Sequence, residues 1–391
     1  MSKVVRRLVA LTISTLIGIL MFEVILWTFP RSLLPREFKI LDRVYNARSA
    51  WEHMMTGDDY LGYKLKPDLN LKFPSEGREI VYKTTSYNFG NIGFRDIGTH
   101  PPYDAIVVGD SFSLCDDVPA ENCWVKFLND RTGLSFGTLG VNGYSTLAEE
   151  RVLERYGTTF KPKLVLLGIH PNDFKDNVNF DHWSRSGTDN LWVWLGARHG
   201  RNQFGRTFAN YSMLYRMIDG FMRSRGRPIH PYKDENFDFV FRFDRWWMRL
   251  VNDTEDHPGF QLMKESMLRM QAMSKAMGAE FVALLFPTKE QVYWDQAKQF
   301  SKDPNLDVDR PVETVAKFCR ENGIKCCVMT DELRSIAREG KQLYHRINQH
   351  WNDEGNLIGS QQIERCLNQF GILPALESAK GNVVAGADAP R

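Results

Sequence analysis

Residues 105–118 read AIVVGDSFSLCDDV. Ala105 to Val108 are apolar without interruption, the pattern of a strand buried on both faces. They run straight into Gly109-Asp110-Ser111, so a serine stands where the strand should end. The rhythm repeats outward from here. LSFGTLGV (134–141) reads as a second strand, KLVLLGI (163–169) as a third, EFVALLF (280–286) as a fourth and Ile324–Met329 as a fifth. Helical patterns separate them: Pro119–Thr132, a segment capped by Ser145, Gln261–Met277, Arg310–Asn322 and, last, about Asp353–Gln369. Strands alternating with helices predict a parallel sheet covered on both faces. Such sheets carry their chemistry beyond the carboxyl ends of the strands.

The 391 residues are 43% hydrophobic and 25% charged, enough for one large or two medium folded domains. Net charge is +2 and no dense Lys/Arg stripe occurs, so nucleic acid is not an expected partner. Residues 8–29, LVALTISTLIGILMFEVILWTF, are apolar except for Glu23 and long enough to span a bilayer. The stretch ends in Trp27-Thr28-Phe29-Pro30 with no small-residue cleavage pattern, so it reads as a retained anchor. Basic residues flank both ends (Lys3, Arg6, Arg7; Arg31, Arg36, Lys39, Arg43), and the short basic tail favours export of the following chain. Glu23 fits an interfacial position or a helix–helix contact.

The expected organisation is a tail and anchor at 1–30, a linker and irregular β extension at 31–103, an α/β domain at 104–377 and a disordered tail at 378–391. The Trp-, Arg- and Phe-rich stretch at about 180–257 breaks the alternation and reads as an insertion. Its aromatics fill a core or stack on sugars. Of six cysteines, Cys326 and Cys327 read as buried small hydrophobes, and a Cys115–Cys123 bridge is one pairing an oxidising compartment permits.

Four blocks after predicted strands or in late loops carry candidate chemistry. Ser111 would be a nucleophile if a base took its proton. Gly109 fits the first position of a G-x-S-x-G elbow, but Ser113 stands where the second glycine belongs. Gly143, in GVNGYST, can present its N–H to a developing oxyanion. Asn172, in GIHPNDF, offers an amide donor for the same purpose, beside His170 as a structural or wall residue. His350, in INQHWNDEGN, titrates in the range a general base needs. Asp110 and Asp173 read as turn-capping carboxylates, and Asp176 and Asn177 as braces of the same loop. Lys289 and Tyr293 read as a solvated helix start or as cleft lining. No phosphate loop, dinucleotide fingerprint or metal-ligand spacing occurs, so no cofactor is expected.

Taken in order, these blocks resemble the SGNH hydrolase (GDSL esterase/lipase) family, through Ser111, Gly143, Asn172 and His350. YNFGNIGFRD ahead of the first strand and KPKLVLLGIHPNDF are similar too, over roughly residues 85–180 and 280–370. The resemblance implies a flavodoxin-like three-layer α/β/α sandwich and a serine esterase or O-acyltransferase. Its oxyanion hole would comprise Ser111, Gly143 and Asn172. The implied setting is an inner membrane, with the domain outside the cytoplasm and an acylated small molecule or polysaccharide as substrate, alongside other envelope proteins. One position departs. The family carries an Asp two or three residues before its histidine, where this chain has Asn348 and Ile347. The imidazole would then be held by Asn348, by a backbone carbonyl, or by an acid from elsewhere such as Asp353. The departure also motivates an alternative, a catalytically impaired glycan-binding or scaffold protein.

Overall fold

A computed structural model describes residues 2–28, 53–76, 78–191, 194–195, 211–224, 229–243, 245–303 and 305–378. All of the expected tail at 378–391 except Ser378, most of the linker and part of the insertion lie outside these residues. The chain divides into two compact units, Met1–His53 with Gly196–Arg227, and Met54–Leu195 with Pro228–Arg391.

In the first unit, the helix Lys3–Thr28 is long and apolar enough to cross a membrane. Another helix of this unit, Met213–Ser224, starts beside Glu23. The Glu23 carboxylate accepts hydrogen bonds from the Ser212 hydroxyl (3.1 Å), from the Leu214 N–H (3.0 Å) and from the Met213 N–H. The one acidic residue of the apolar stretch therefore sits in a helix–helix contact.

The second unit opens with short antiparallel strands: β1 (Met55–Asp58) with β2 (Gly62–Leu65), then β3 (Asn70–Ser75), β4 (Arg78–Thr85) and β5 (Phe94–Arg95). The parallel sheet follows. β6 (Ala105–Val108), β7 (Phe136–Thr138) and β8 (Leu164–Ile169) alternate with the helices Trp124–Thr132 and Thr146–Arg155. The insertion then contributes an antiparallel hairpin, β9 (Ile229–Lys233) and β10 (Asp238–Arg242), and the helix Arg245–Asn252. β11 (Glu280–Leu285) and β12 (Lys325–Val328) complete the sheet in the order β12-β11-β8-β6-β7. By sequence rank within the sheet this is 2-1-3-4-5, the flavodoxin-like order, whose switch point falls between β6 and β8.

Both faces of β6 and β8 are buried, as their unbroken apolar runs demand. Ala105, Val107, Leu164, Leu166, Val282 and Leu284 share one apolar cluster with Trp124 and Leu128, and with Ile363 and Leu367 of the helix Asp353–Gln369, which a short helical run at 372–378 follows. The helices Thr146–Arg155, Asn172–Ser184 and Pro258–Ala276 pack on one another on the other face. The result is a three-layer α/β/α sandwich.

Several local expectations need correction. Pro119–Thr132 is a 3-10 turn, Ala120–Asn122, followed by the helix Trp124–Thr132. Ser145 holds the N-cap position, but its buried hydroxyl has no partner among the described residues. Cys327, expected as a buried small hydrophobe, is half of a disulfide with Cys366. The Cys115–Cys123 pairing is present as anticipated.

Candidate active site

The site is assembled by three loops, at the carboxyl ends of β6 and β8 and ahead of the helix Asp353–Gln369. Gly109 lets the loop after β6 fold back on the end of the strand, since a Cβ there would collide with the Ser113 side chain. The Phe112 N–H donates to Asp110 Oδ1 (2.9 Å), closing a turn that leaves Ser111 at its tip. No acceptor for the Ser111 N–H exists among the described residues.

His350 lies 239 residues away in sequence, and its Nε2 is 2.7 Å from Ser111 Oγ, inside the expected reach. Its Nδ1 faces Asp117 Oδ2 at 3.3 Å, with Asp116 Oδ2 at 4.0 Å. The acid facing the ring thus comes from the serine's own loop. Asn348 does not hold the imidazole. Its Nδ2 donates to Asp117 Oδ2, and its Oδ1 accepts the His350 N–H at 3.3 Å. Asp353 is not the acid either, being bonded to Arg78 (Nη2–Oδ1 2.7 Å).

Burial alone would drive Asp117 toward its neutral form, but hydrogen bonds and charge from His350, with the Ser75 hydroxyl, hold its pKa below the usual value. Burial and the Asp117 charge push Asp116 up to about 7. For His350, burial opposes the charged form. The Asp117 hydrogen bond and the charges of Asp116, Asp117 and Asp110 outweigh it and raise the pKa. Asp116, Asp117 and His350 also form the one group of described residues with donor atoms within 4.8 Å of one another, close enough to share a cation.

Ser111, Asn172 and His350 line a cavity of about 210 Å³, with Phe112, His170, Arg242, Trp247 and Gln349 among its other walls. Phe112 stacks on His170 (4.8 Å between centroids) and meets His350 edge-on at 5.4 Å. Burial pushes His170 down to about 3, so its ring is neutral. His170 Nε2, the Trp247 indole N–H and both polar atoms of the Gln349 amide have no partner among the described residues. Asn172 Nδ2 donates to Asp176 Oδ2 (3.1 Å). Gly143, with φ of 72°, turns the chain after β7 against the Tyr63 hydroxyl; it is not on the cavity wall, and its N–H has no acceptor among the described residues.

The remaining polar residues are structural. Asp173 Oδ2 accepts the His170 N–H (3.1 Å), as expected of a turn cap. Asn177 spans Thr146 and Gly259. Lys289 is neither solvated nor in the cavity. Its buried Nζ donates to the carbonyls of His345 (2.7 Å) and Arg346 (3.3 Å), and burial lowers its pKa to about 7. The Tyr293 hydroxyl donates to the Lys341 carbonyl and accepts the Leu343 N–H, both at 2.7 Å. Both side chains clamp the segment leading to His350. Sequence reasoning missed Asp117; its signal was the Asp116-Asp117 pair six residues past the serine, between Cys115 and Cys123.

No family model and no curated protein matches the chain. Among solved structures it is similar to TesA, with 12% identity over 67% of this chain and 97% of that one and a TM-score of 0.38. It is similar to a GDSL-like lipase from Bacteroides thetaiotaomicron, with 12% identity over 71% and 89% and a TM-score of 0.34. An acetyl xylan esterase, AlAXEase, matches with 10% identity over 67% and 99% and a TM-score of 0.37. Values at this level assign no activity.

Proposed function

We propose that this chain is a membrane-anchored serine esterase or O-acyltransferase that acts on an ester of an extracytoplasmic carbohydrate or lipid. The observation that carries this reading is the continuous contact Ser111 Oγ–His350 Nε2–His350 Nδ1–Asp117, with separations of 2.7 and 3.3 Å. A hydroxyl, a base and an orienting acid in line are what nucleophilic acyl transfer requires.

Ser111 Oγ attacks the ester carbonyl carbon while its proton passes to His350 Nε2. The imidazolium is stabilised by Asp117. The oxyanion takes donors from the Ser111 N–H, with the Asn172 amide as a further contributor; Gly143, off the cavity wall, is left out of this set. Collapse breaks the carbon–oxygen bond, and the leaving alcohol takes the proton from His350. Water, or a second hydroxyl, then gives its proton to His350 and attacks the acyl-serine; the acyl–Oγ bond breaks and Ser111 Oγ takes the proton back from His350. That choice separates an esterase from an acyltransferase.

The small cavity favours a short acyl group such as acetyl. Its unpartnered indole, amide and imidazole atoms favour hydroxyl-bearing carbohydrate over a lipid chain. The apolar helix supports anchoring in an inner membrane, and two disulfides favour an oxidising compartment for the domain.

The test is release of acetate from acetylated oligosaccharides, and of fatty acid from long-chain glyceryl esters, by the full chain in detergent. Wild type should turn over the acetyl sugars, and Ser111→Ala should not. Glycan binding without turnover would instead favour the non-catalytic scaffold.

A further inference from the structure

The segment that delivers His350 and the loop that delivers Asp117 meet at a third element, the turn joining β3 to β4. The Glu76 carboxylate there accepts three consecutive backbone N–H groups, from Arg346 (3.0 Å), Ile347 (2.7 Å) and Asn348 (3.3 Å). Consecutive amides converging on one anion form a backbone nest. The anion here is a side chain from 270 residues earlier in the chain. Its neighbour Ser75 donates its hydroxyl to Asp117 Oδ1 (3.0 Å). Arg78 reaches Asp353, at the start of the helix Asp353–Gln369, and the Asp117 carbonyl (3.5 Å). Glu76 itself has a φ of 46°, a left-handed conformation a non-glycine residue adopts only where its surroundings hold it.

We propose that the β3–β4 turn is a positioning element for the catalytic set, with Glu76 fixing the His350 segment and Ser75 fixing Asp117 against it. The inference rests on the reading that Ser111, His350 and Asp117 are the reacting groups. Neither Ser75 nor Glu76 lines the cavity, so they act through the imidazole and its acid, not on substrate. Asn348 joins the two halves, since its N–H is held by Glu76 while its amide holds Asp117. Loss of the Glu76 carboxylate releases three amides at once and loosens both the 2.7 Å and the 3.3 Å contacts of His350.

The test uses the full chain in detergent with Glu76→Ala, Glu76→Gln and Ser75→Ala. Functional sites are counted by a fluorophosphonate, and kcat and KM are measured on a short acyl ester. The pKa of His350 is read from histidine-selective 13C NMR, assigned with His350→Gln. The charged or titratable groups that face this ring are Asp110, Asp116, Asp117, His170 and His345. Glu76→Ala should lower kcat per site about 30-fold with KM within about twofold, because positioning acts on the reacting step. The His350 pKa should fall by about one unit as the Asp117 contact loosens. Glu76→Gln, which keeps one acceptor oxygen, should lie between. Ser75→Ala, which removes a single hydroxyl, should lower the His350 pKa by a smaller amount and decides the matter if Glu76→Ala does not fold. A folded Glu76→Ala with unchanged kcat per site and unchanged His350 pKa overturns the inference. A wild type without ester turnover overturns the functional reading alone, because the pKa comparison still decides the positioning role.

Discussion

The acid opposite His350 is one of two adjacent carboxylates, and this makes a quantitative prediction. At an effective dielectric near 20, a unit charge on Asp117 at 3.3 Å attracts the imidazolium by about 5 kcal/mol, and one on Asp116 at 4.0 Å by about 4 kcal/mol. Near pH 6.5 Asp116 is mostly neutral, since burial and the Asp117 charge raise its pKa to about 7. Asp116→Asn alone is then nearly isosteric and should change kcat/KM less than about threefold. Asp117→Asn removes the like charge, so Asp116 ionises and partly replaces it. What is lost is about 1 kcal/mol of attraction plus a charged hydrogen bond worth about 1.5–3 kcal/mol, or roughly 10²–10³ in rate. With both carboxylates replaced, nothing takes over, and a further loss of about 10² or more is expected. The assay is kcat/KM on a short acyl ester at pH 6.5, per fluorophosphonate-titrated site, for the wild type, both single variants and the double variant. A double variant equal to the product of the singles within a factor of about three would refute the replacement of one acid by the other.

Three further outcomes follow from the same geometry. Asn348→Asp puts an acid two residues before His350, yet it sets a second carboxylate against Asp117, so kcat should fall about tenfold rather than rise; steady-state kinetics decide this. Because His350 must be neutral to accept the proton and its pKa is raised, kcat/KM should climb with pH through a limb above the ordinary histidine value of 6.5; in Asp117→Asn the limb should move down, as a pH profile would show. Replacing Cys115 and Cys123 with serine opens a loop of 8 residues that contains Asp116 and Asp117; it should cost about 2.5 kcal/mol and about 5 °C in Tm, with a loss of kcat beyond the loss of stability.

Much of the sheet was legible because burial on both faces leaves no polar position: AIVV and LVLLGI can only be interior strands. The placement of Ser111 and Asn172 followed from the rule that switch-point loops carry chemistry. The late-loop His350 was found by residue type and order. Asp117 was hidden because its contact with His350 spans 233 residues and depends on a left-handed backbone at Asp117, with φ of 63°, that no local pattern announces. Lys289 misled for a related reason. A lysine at a helix start reads as solvated, and only the fold shows that two carbonyls of the segment ahead of His350 receive it. The Cys327–Cys366 bridge joins β12 to the helix Asp353–Gln369 across 39 residues, a pairing spacing does not specify. The β9–β10 hairpin was obscured by aromatic density, in which alternation of two is hard to see.

Ser111 stands or falls by mapping where a fluorophosphonate bonds on the intact chain. One adduct per molecule, on Ser111 alone and formed much more slowly in His350→Ala, is the expected result. An unmodified Ser111, or ester turnover that persists in Ser111→Ala, would contradict it.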